Sequence, residues 1–385
     1  MGATRGAPLY VGVMSGTSLD GLDVVLAALP QAGPRVLHAR TFPYDDGFRG
    51  ALAELCRAEQ VGFARFGALD AALGERIGDA VLALLDEAAT APRSVEAIGS
   101  HGQTVRHLPR GNDAPFTLQI GDPNRIAERT GITVVADFRR RDVAAGGEGA
   151  PLVPAFHAAA FGAPHPRAIL NIGGMANLTL LEGGGRAREI GGFDTGPGNV
   201  LVDAWARRHL HRPYDEGGAW AGQGRVDEIL LGRLLDDPWF ALPPPKSTGR
   251  EHFDEAWLAA RMTAPVAPAS VAATLTELTA RTIADALRDL AGFPAGEVLV
   301  CGGGRHNALL MERLAAALPG YAITTTDAQG IDGDWVEGLA FAWLAQRRLG
   351  GRSGNVPAVT GASGERILGG VWPGRPGGPI DRDPG

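Results

Sequence analysis

Two stretches of this sequence repeat one pattern, in which a short apolar strand runs into a polar glycine loop and then into a second apolar strand. Residues 9–13 and 22–27 flank the first loop, at residues 14–21. Residues 168–172 and 178–181 flank the second, which contains Gly173 and Gly174. Short apolar runs bounded by glycine are typical of buried strands. The repeat therefore predicts two related α/β domains, each of which begins with one such unit.

The length and charge of the chain limit its class. Its 385 residues are enough for two domains with a large core. A net charge of −7 gives no support for a nucleic-acid-binding surface. The chain has two cysteines, too few for a disulfide framework, and shows no signal peptide and no apolar run of membrane length. We therefore expect a cytoplasmic protein that binds neither nucleic acid nor membrane.

An acidic motif stands at residues 193–199 (FDTGPGN). It predicts a strand, a tight glycine-proline turn and a helix whose N-cap is Asn199. The carboxylate of Asp194 would then stand beside a helix N-terminus, where backbone N–H groups favour a bound anion. This arrangement suits a general base that acts next to a phosphate, whereas the alternative is a solvated aspartate in an ordinary βα turn.

The glycine loops can hold phosphate without a standard nucleotide motif. The first loop leads into a strand rather than a helix, so it is neither a Walker loop nor a dinucleotide-binding turn. Its Gly, Ser and Thr residues could still cradle phosphate, and Asp20 or Asp23 could hold Mg²⁺ through water. The alternative is a simple hairpin loop. Three glycines at residues 302–304, between a strand and a helix, would let a flat ligand lie on the backbone.

Charged side chains also follow a predicted strand at residues 137–142 (DFRRRD). The carboxyl end of a strand is where open α/β sheets bind ligands, although a solvated charge cluster is the alternative. His101 could orient a ligand or be a buried core histidine. Lys246, the only lysine, could contact a phosphate, but an exposed loop lysine is the commoner interpretation.

The order of these motifs resembles that of the sugar kinase, heat-shock 70 and actin superfamily. Within it the chain is similar to the anhydro-N-acetylmuramic acid kinase family over about residues 10–368. The motifs that carry the resemblance are GVMSGTSLDG (12–21), GSHGQT (99–104), ADFR (136–139), NIGG (171–174), FDTGPGN (193–199) and CGGG (301–304). The resemblance implies an α/β fold of two ribonuclease-H-like (actin-like ATPase) domains with an interdomain cleft for ATP and substrate.

The resemblance also implies a reaction. Enzymes of this family take 1,6-anhydro-N-acetylmuramic acid, ATP and water, open the anhydro bridge and phosphorylate O6. The product is N-acetylmuramic acid 6-phosphate, an intermediate of cell-wall (peptidoglycan) recycling. Asp194 matches the family's general base for the attacking water, and Mg²⁺ is expected with ATP. A superfamily kinase for another sugar or carboxylate, and a non-enzymatic nucleotide-driven switch, are the alternatives, and the sequence leaves a homodimer open.

The same match assigns the remaining site residues. The nucleotide is expected at Gly16, Thr17, Ser18, Leu19, Asp20, Gly21, Leu22, Asp23, Gly173, Gly174, Asn177, Gly196, Gly302, Gly303, Gly304 and Asn307. The sugar is expected at His101, Arg139, Arg141, Asp142 and Glu337, with one arginine paired to the lactyl carboxylate. Metal ligands are not assigned. Two residues depart from the expected family pattern: Glu148 stands in place of a glutamine and Arg305 in place of a small residue.

The domain limits are also an expectation from the sequence. Residues 1–137 would form the first domain, 138–167 a connector with substrate-side residues, and 168–335 the second domain. A closing helix at about 336–350 would pack back near the hinge. Residues 369–385, rich in Gly, Pro, Arg and Asp, would form a mobile tail.

Overall fold

The structure is a computed structural model, and it describes residues 7–16, 19–109, 114–183, 190–249, 252–290 and 292–375. Its contacts divide the chain into two compact units. Unit 1 comprises residues 1–160 and 335–385, and unit 2 comprises residues 161–334. Residues 138–160, expected in a connector, thus belong to unit 1. Within the described ranges, we find no helix that combines the length and the apolar character needed to cross a membrane.

The regular elements are thirteen described strands and twelve described α-helices, with short 3-10 and π segments. The strands are β1 (Leu9–Met14), β2 (Gly21–Ala28), β3 (Arg35–Pro43), β4 (Val95–Ser100), β5 (Gln103–Leu108), β6 (Phe116–Ile120), β7 (Val134–Ala136), β8 (Arg167–Ile172), β9 (Met175–Leu181), β10 (Ile190–Pro197), β11 (Glu297–Cys301), β12 (Ala322–Thr325) and β13 (Gly370–Trp372). The α-helices are α1 (Asp46–Arg57), α2 (Phe63–Glu87), α3 (Pro123–Thr130), α4 (Arg140–Val143), α5 (Pro154–Phe161), α6 (Val200–Leu210), α7 (Glu228–Leu235), α8 (Glu255–Arg261), α9 (Pro268–Asp285), α10 (Ala308–Ala317), α11 (Val336–Leu349) and α12 (Pro357–Thr360). Short 3-10 helices lie at Pro92–Ser94, Glu216–Gly218, Ala221–Gln223, Pro238–Ala241, Gly303–His306 and Thr326–Gln329, and a π-helical turn lies at Ala286–Leu290.

The main sheets of the two units share one topology. In unit 1 the order is β13-β7-β4-β1-β2-β3, and in unit 2 it is β10-β9-β8-β11-β12. Each sheet has three consecutive antiparallel strands, then a fourth strand parallel to the first and a fifth parallel to the fourth. This is the strand order expected of a ribonuclease-H-like domain. The predicted α/β fold with two related halves is confirmed.

Helix α11 packs directly on the backbone of β1 and β4 because glycines leave room for it. A Cβ atom at Gly12 would lie 1.8 Å from the carbonyl oxygen of Gly338, and one at Gly99 would lie 2.0 Å from that of Phe341. Any larger residue would push the helix away from the sheet. The two glycines therefore set how closely α11, which carries Glu337 in its first turn, approaches the sheet.

Some elements differ from the sequence-based expectation. The helical pattern over residues 51–87 is divided into α1 and α2, and residues 220–241 form short helices interrupted at Gly224 and Pro238. The polar end of the strand expected at residues 97–105 is a break between β4 and β5, where Gly102 has a φ of +70°. Residues 370–372 of the expected tail form β13, because Val371 pairs with Val135 at the sheet edge. Residues 376–385 lie outside the described ranges.

Candidate active site

Asp194 lies within strand β10, three residues before its end. It pairs with Asn177 of β9, and the next pair joins Gly196 to Ala176. Thr195 is thus an extra residue on one strand, which is a β-bulge. Bulges bend a strand and re-aim its side chains, and they are common next to active sites. The turn expected around Asp194 is therefore shorter than predicted, since the strand continues to Pro197.

The loop at residues 246–249 holds Asp194 from both its backbone and its side chain. The N–H of Asp194 donates to the carbonyl oxygen of Lys246 at 3.0 Å. The N–H of Thr248 donates to Oδ2 of Asp194 at 2.9 Å. A hydrogen bond from a backbone N–H favours the ionised carboxylate. The bond from Thr248 thus stabilises the form of the carboxylate that a general base needs.

The start of helix α6 is not the open anion site that the sequence suggested. The N–H groups of Asn199 and of Gly198 and Val200 donate to the carbonyl oxygens of Gly173 and Gly174 at 2.8 to 3.1 Å. The Asn199 side chain does not cap the helix, because its Nδ2 donates to the carbonyl oxygen of Ile172 at 3.2 Å. The expectation of free N–H donors here was wrong for these three groups. They bind the second glycine loop to the helix instead.

Sheet register aligns polar side chains beside Asp194. Asn177 pairs with Asp194 on one side and with Asn171 on the other, and Asn171 pairs with Cys301 of β11. Directly paired residues project from the same face of a sheet. The candidate base and the end of the second glycine loop therefore belong to one row across four strands.

The glycines at residues 302–304 have different packing roles. A Cβ atom at Gly302 would lie 2.3 Å from Oδ1 of Asn171, and one at Gly304 would lie 2.3 Å from Cγ2 of Ile172. At Gly303 the nearest atom would be Nδ2 of Asn199, at 3.9 Å. Gly302 and Gly304 are thus required by the strand β8 beneath them, whereas Gly303 faces open space. Oδ1 of Asn307 caps α10 by accepting from Leu310 at 3.0 Å, so this side chain has a structural role.

The first glycine loop is only partly described, because Thr17 and Ser18 lie outside the described residues. Leu19 adopts a φ of +59°, and the backbone N–H of this residue donates to the carbonyl oxygen of Gly16 at 3.3 Å. Gly21, Leu22 and Asp23 already belong to β2. The side chain of Leu22 is in the core, so only its backbone could reach a nucleotide.

The acidic residues of this loop have different surroundings. Asp20 is exposed, whereas Oδ1 of Asp23 accepts from the hydroxyl of Thr41 at 2.6 Å. The parts of the chain covered by the structure hold no cluster of three or more His, Cys, Asp or Glu residues arranged for a metal.

Four of the five sugar-side candidates lie together in unit 1. Nε of Arg139 donates to Nε2 of His101 at 2.9 Å, and Nδ1 of His101 lies 2.7 Å from the carbonyl oxygen of Gly102. A guanidinium only donates and a carbonyl only accepts, so His101 is neutral with its proton on Nδ1. Burial, and then the charge of Arg139, lower the pKa of His101 well below its usual range. Burial also lowers the pKa of Arg139 to about 10, against the opposing charges of Glu337 and Asp142.

Asp142 is fully buried and acts within the protein framework. Its Oδ2 accepts from the N–H of Gly149 at 2.8 Å, and its Oδ1 accepts from Asn355 at 2.7 Å and Thr360 at 2.9 Å. The carbonyl oxygen of Gly149 in turn accepts from Nη1 of Arg139 at 2.8 Å. Asp142 is therefore placed to hold the loop that orients Arg139, rather than to contact a ligand itself.

Arg141 is separate from this cluster. It is exposed on the short helix α4 and lines an open concavity of about 580 Å³ with Asp137, Arg140, Arg348 and Gly369. The structure therefore distinguishes Arg139 from Arg141, which the sequence alone did not.

Arg305 and Glu148, the two departures from the family pattern, are both buried. The Arg305 side chain is 6% exposed and forms ion pairs with Asp327, Asp332 and Asp334. Burial opposes ionisation of Asp334, but hydrogen bonds from Arg305 and His306 outweigh it and lower the pKa of Asp334. The charge of Arg305 is thus neutralised inside unit 2.

Glu148 is 5% exposed, and its N–H donates to the carbonyl oxygen of Thr360 at 2.7 Å. Its backbone is thus joined to the helix that also supplies a donor to Asp142. A buried position with a backbone bond of this kind is typical of a framework residue.

Three residues gain a role that the sequence did not assign. The hydroxyl of Ser15 donates to Oε1 of Gln103 at 2.6 Å and lies 2.8 Å from the hydroxyl of Tyr44, which must then be the donor. These buried contacts fix the entry to the first glycine loop. Ser15 and Gln103 stand in conspicuous motifs, but nothing in the sequence shows that they meet.

Lys246 differs from the sequence-based expectation, and His107, for which the sequence predicted no role, lies near Arg139. Lys246 is 7% exposed, contrary to the interpretation of an exposed loop lysine. Nδ1 of His107 lies 2.9 Å from Oγ1 of Thr117, and its buried Nε2 has no hydrogen-bond partner among the described residues. Burial, and then the charge of Arg139, lower the pKa of His107 to about 4. His107 is therefore a neutral side chain near the sugar-side cluster.

Comparisons with known proteins place this site in a family. The chain matches the family model described as "Anhydro-N-acetylmuramic acid kinase" over residues 8–374. Two curated anhydro-N-acetylmuramic acid kinases, from Xanthomonas campestris pv. campestris strains 8004 and ATCC 33913, are each 52% identical over 374 residues, which is 95% of this chain and 98% of the relative.

Two solved structures are similar to this chain at lower sequence identity. They are the activator of the 2-hydroxyisocaproyl-CoA dehydratase from Clostridium difficile with bound ADPNP (TM-score 0.45, 11% identity, 87% of this chain and 92% of that chain) and a ROK family glucokinase from Streptomyces griseus with glucose and AMPPNP (TM-score 0.39, 17% identity, 88% and 99%). The family match spans nearly the whole chain and includes every motif discussed above. The chain belongs to the anhydro-N-acetylmuramic acid kinase family.

Proposed function

We propose that this protein is an ATP-dependent kinase of 1,6-anhydro-N-acetylmuramic acid. It opens the anhydro bridge with water and phosphorylates O6, which gives N-acetylmuramic acid 6-phosphate and ADP for cell-wall recycling. Family membership supports the substrate and the reaction. The observation that carries the mechanism is the carboxylate of Asp194, aimed by a bulge and held by the Thr248 N–H.

Asp194 is the general base in this proposal. Its carboxylate takes a proton from water as the water oxygen forms a bond to C1 of the sugar. The C1–O6 bond breaks with its electron pair on O6, and O6 takes the γ-phosphoryl group from ATP, releasing ADP. A positioned base of this kind contributes about 10²–10⁴ in rate. The rest of the catalysis is positioning and charge neutralisation.

Arg139 is the residue that we assign to the lactyl carboxylate of the sugar. Its Nε and Nη1 are used by His101 and Gly149, which orients the guanidinium and leaves Nη2 for a ligand. Neutral His101 holds the orientation without adding a competing charge. Glu337 lies close enough to Arg139 to raise its pKa, and we assign it to a sugar hydroxyl. Arg141 is not part of this set, because it lines another surface.

Backbone groups of the three glycine loops would hold the nucleotide. Gly303 has open space at its Cβ position, which supports contact with the adenosine. Mg²⁺ fits the oxygen-rich first loop, where Asp20 and Asp23 would hold it through water or directly. When bound, the metal would neutralise charge on the β- and γ-phosphates.

We place the reaction in the cytoplasm, where ATP is available. A homodimer stays a prediction, which sedimentation velocity tests.

The test compares ADP release with the anhydro sugar, with a simple hexose and without sugar. The proposal expects release only with the anhydro sugar. Asp194→Asn should keep ATP binding, measured by calorimetry, and lose about 10²–10⁴ in kcat. Asp236→Asn, an exposed aspartate in the same unit, is the matched control and should be as active as the wild type. Full activity of Asp194→Asn would remove the base assignment, and sugar-independent ATP turnover would favour a switch.

A further inference from the structure

Lys246, the only lysine of the chain, is buried but has no role in the mechanism proposed above. Lys246 is 7% exposed. Its Nζ donates to the carbonyl oxygen of Phe240 at 2.8 Å and to that of Trp239 at 3.4 Å, and it lies 4.3 Å from the centroid of the Trp239 ring. Burying a rotamer-rich cationic side chain is costly unless its charge is satisfied. The cost of this burial suggests that Lys246 has a functional role.

The anchor of Lys246 is itself rigidly held. Oδ1 of Asp237 accepts from the N–H of Trp239 at 2.9 Å. Oδ2 of Asp237 accepts from Nε1 of Trp257 at 2.7 Å and from Nη2 of Arg261 at 2.8 Å. The turn that carries the two carbonyl acceptors is therefore fixed by a buried carboxylate and an aromatic cluster.

The other end of Lys246 contacts the candidate base. Its carbonyl oxygen accepts the N–H of Asp194 at 3.0 Å, and two residues later the N–H of Thr248 donates to the Asp194 carboxylate at 2.9 Å. Fixing the side chain of Lys246 thus fixes the backbone segment that brackets Asp194. A misplacement of about 1 Å in such a group can cost about 10²-fold in rate.

The charges of Lys246 and Asp194 also interact. Burial lowers the pKa of Lys246 to about 8, and the charge of Asp194 opposes this by raising it. The coupling is reciprocal, so the ammonium favours the ionised form of the carboxylate. The neighbour of Asp194 in β9, Asn177, is uncharged, and within the described residues 242–249 of the loop on its other side Lys246 is the only charged side chain.

We propose that Lys246 is a positioning residue for Asp194, which it serves by fixing the 246–248 segment around the carboxylate and by supplying a positive charge beside it. This rests on the proposed function, in which Asp194 is the base. Lys246 itself does not touch the reacting atoms.

The kinetic test uses Lys246→Met and Lys246→Arg, with Arg212→Met, which removes an exposed cation of the same unit, as the control. Lys246→Met should lower kcat about 10–100-fold, with KM for both substrates within about twofold of the wild type. The acid limb of its kcat/KM profile should move up by about one pH unit. Lys246→Arg should keep the acid limb in place, because it keeps the charge, and Arg212→Met should resemble the wild type. An unshifted limb in Lys246→Met, or one that shifts equally in Lys246→Arg, would overturn the proposal.

A second measurement does not depend on activity or on the folding of Lys246→Met. Protein labelled with ¹³C at lysine Cε gives one side-chain NMR signal from this chain, since it has one lysine. Its titration in the wild type should report a pKa of about 8. In Asp194→Asn the pKa should be lower, because the opposing carboxylate is gone; an equal pKa would overturn the coupling.

The two proposals fail differently. An active Asp194→Asn removes the base itself. An inactive Asp194→Asn combined with a wild-type profile for Lys246→Met removes only the role of Lys246.

Discussion

Substitution of Asp142 by asparagine should weaken both the stability of unit 1 and the binding of the sugar. The amide can keep an oxygen toward Asn355 and Thr360, but it then presents an NH₂ group to the N–H of Gly149. One hydrogen bond to a buried carboxylate is lost and two donors face each other. Such a change costs about 1.5–3 kcal/mol. Asp142→Ala would leave all three donors unpaired and should cost about 3–5 kcal/mol.

The effect on the sugar follows from one contact. The carbonyl oxygen of Gly149 accepts from Arg139, so a shift of Gly149 misplaces the guanidinium. If about 1.4 kcal/mol of the lost energy appears in sugar binding, KM for the sugar rises about tenfold. KM for ATP should stay unchanged, because Asp142 has no contact with the glycine loops in the described structure.

Urea titration followed by hydrogen exchange of peptides from β7 and α12 measures the stability of unit 1 specifically. Steady-state kinetics with each substrate varied in turn measures KM for the sugar and for ATP. Thr360→Val is the control: it removes one donor to Asp142 but leaves Gly149 in place, so it should cost about 1 kcal/mol and leave the sugar KM alone. An Asp142→Asn protein that matches Thr360→Val in both measurements would refute the argument.

Three further predictions concern other parts of the fold. Gly304→Ala should unfold or strongly destabilise unit 2 in thermal melts, because its Cβ would lie 2.3 Å from a side chain, whereas Gly303→Ala should fold normally and raise only the KM for ATP. Tyr44→Phe removes a buried hydrogen bond to the first glycine loop and should raise the KM for ATP by a few fold, about 0.5–1.5 kcal/mol, in an ATP titration. In Arg305→Met the melting temperature should depend less on pH below about pH 5 than in the wild type. The lowered pKa of Asp334 stabilises the fold above its ordinary value of 3.8, and this contribution is lost as the pH falls through the lower folded value.

Local patterns predicted the fold well. The two strand–loop–strand units are short-range features, since apolar runs and glycines define them within about twenty residues, and each one correctly predicted the first antiparallel strand pair of its sheet. The position of Asp194 beside a glycine loop also followed from the order of motifs. The β-bulge beside Asp194 could not be predicted from the sequence, because the bulge at Thr195 depends on pairing with Ala176 and Asn177 in another strand.

Long-range contacts explain most of the differences between the predicted site and the site in the structure. Two of the three partners of Asp142 are 213 and 218 residues further along the chain, so no local pattern could show that its carboxylate is internal. Lys246 looked exposed because a Pro-rich polar segment is usually a surface loop, yet the aromatic turn at Pro238–Ala241 covers it. The donors at the start of α6 looked free because their acceptors belong to the second glycine loop.

The position of helix α11 and strand β13 late in the sequence has a consequence for biosynthesis. Both elements complete unit 1, although they follow unit 2 in the chain. During translation the backbone around Gly12 and Gly99 stays uncovered until residues beyond 336 have left the ribosome. Unit 2 has its whole sequence available before then, so it can fold while unit 1 still waits for its last helix. A released fragment that ends at residue 334 should therefore be cut by protease in its first 160 residues and resist cleavage in unit 2. The segment that is synthesised first is the one that folds last.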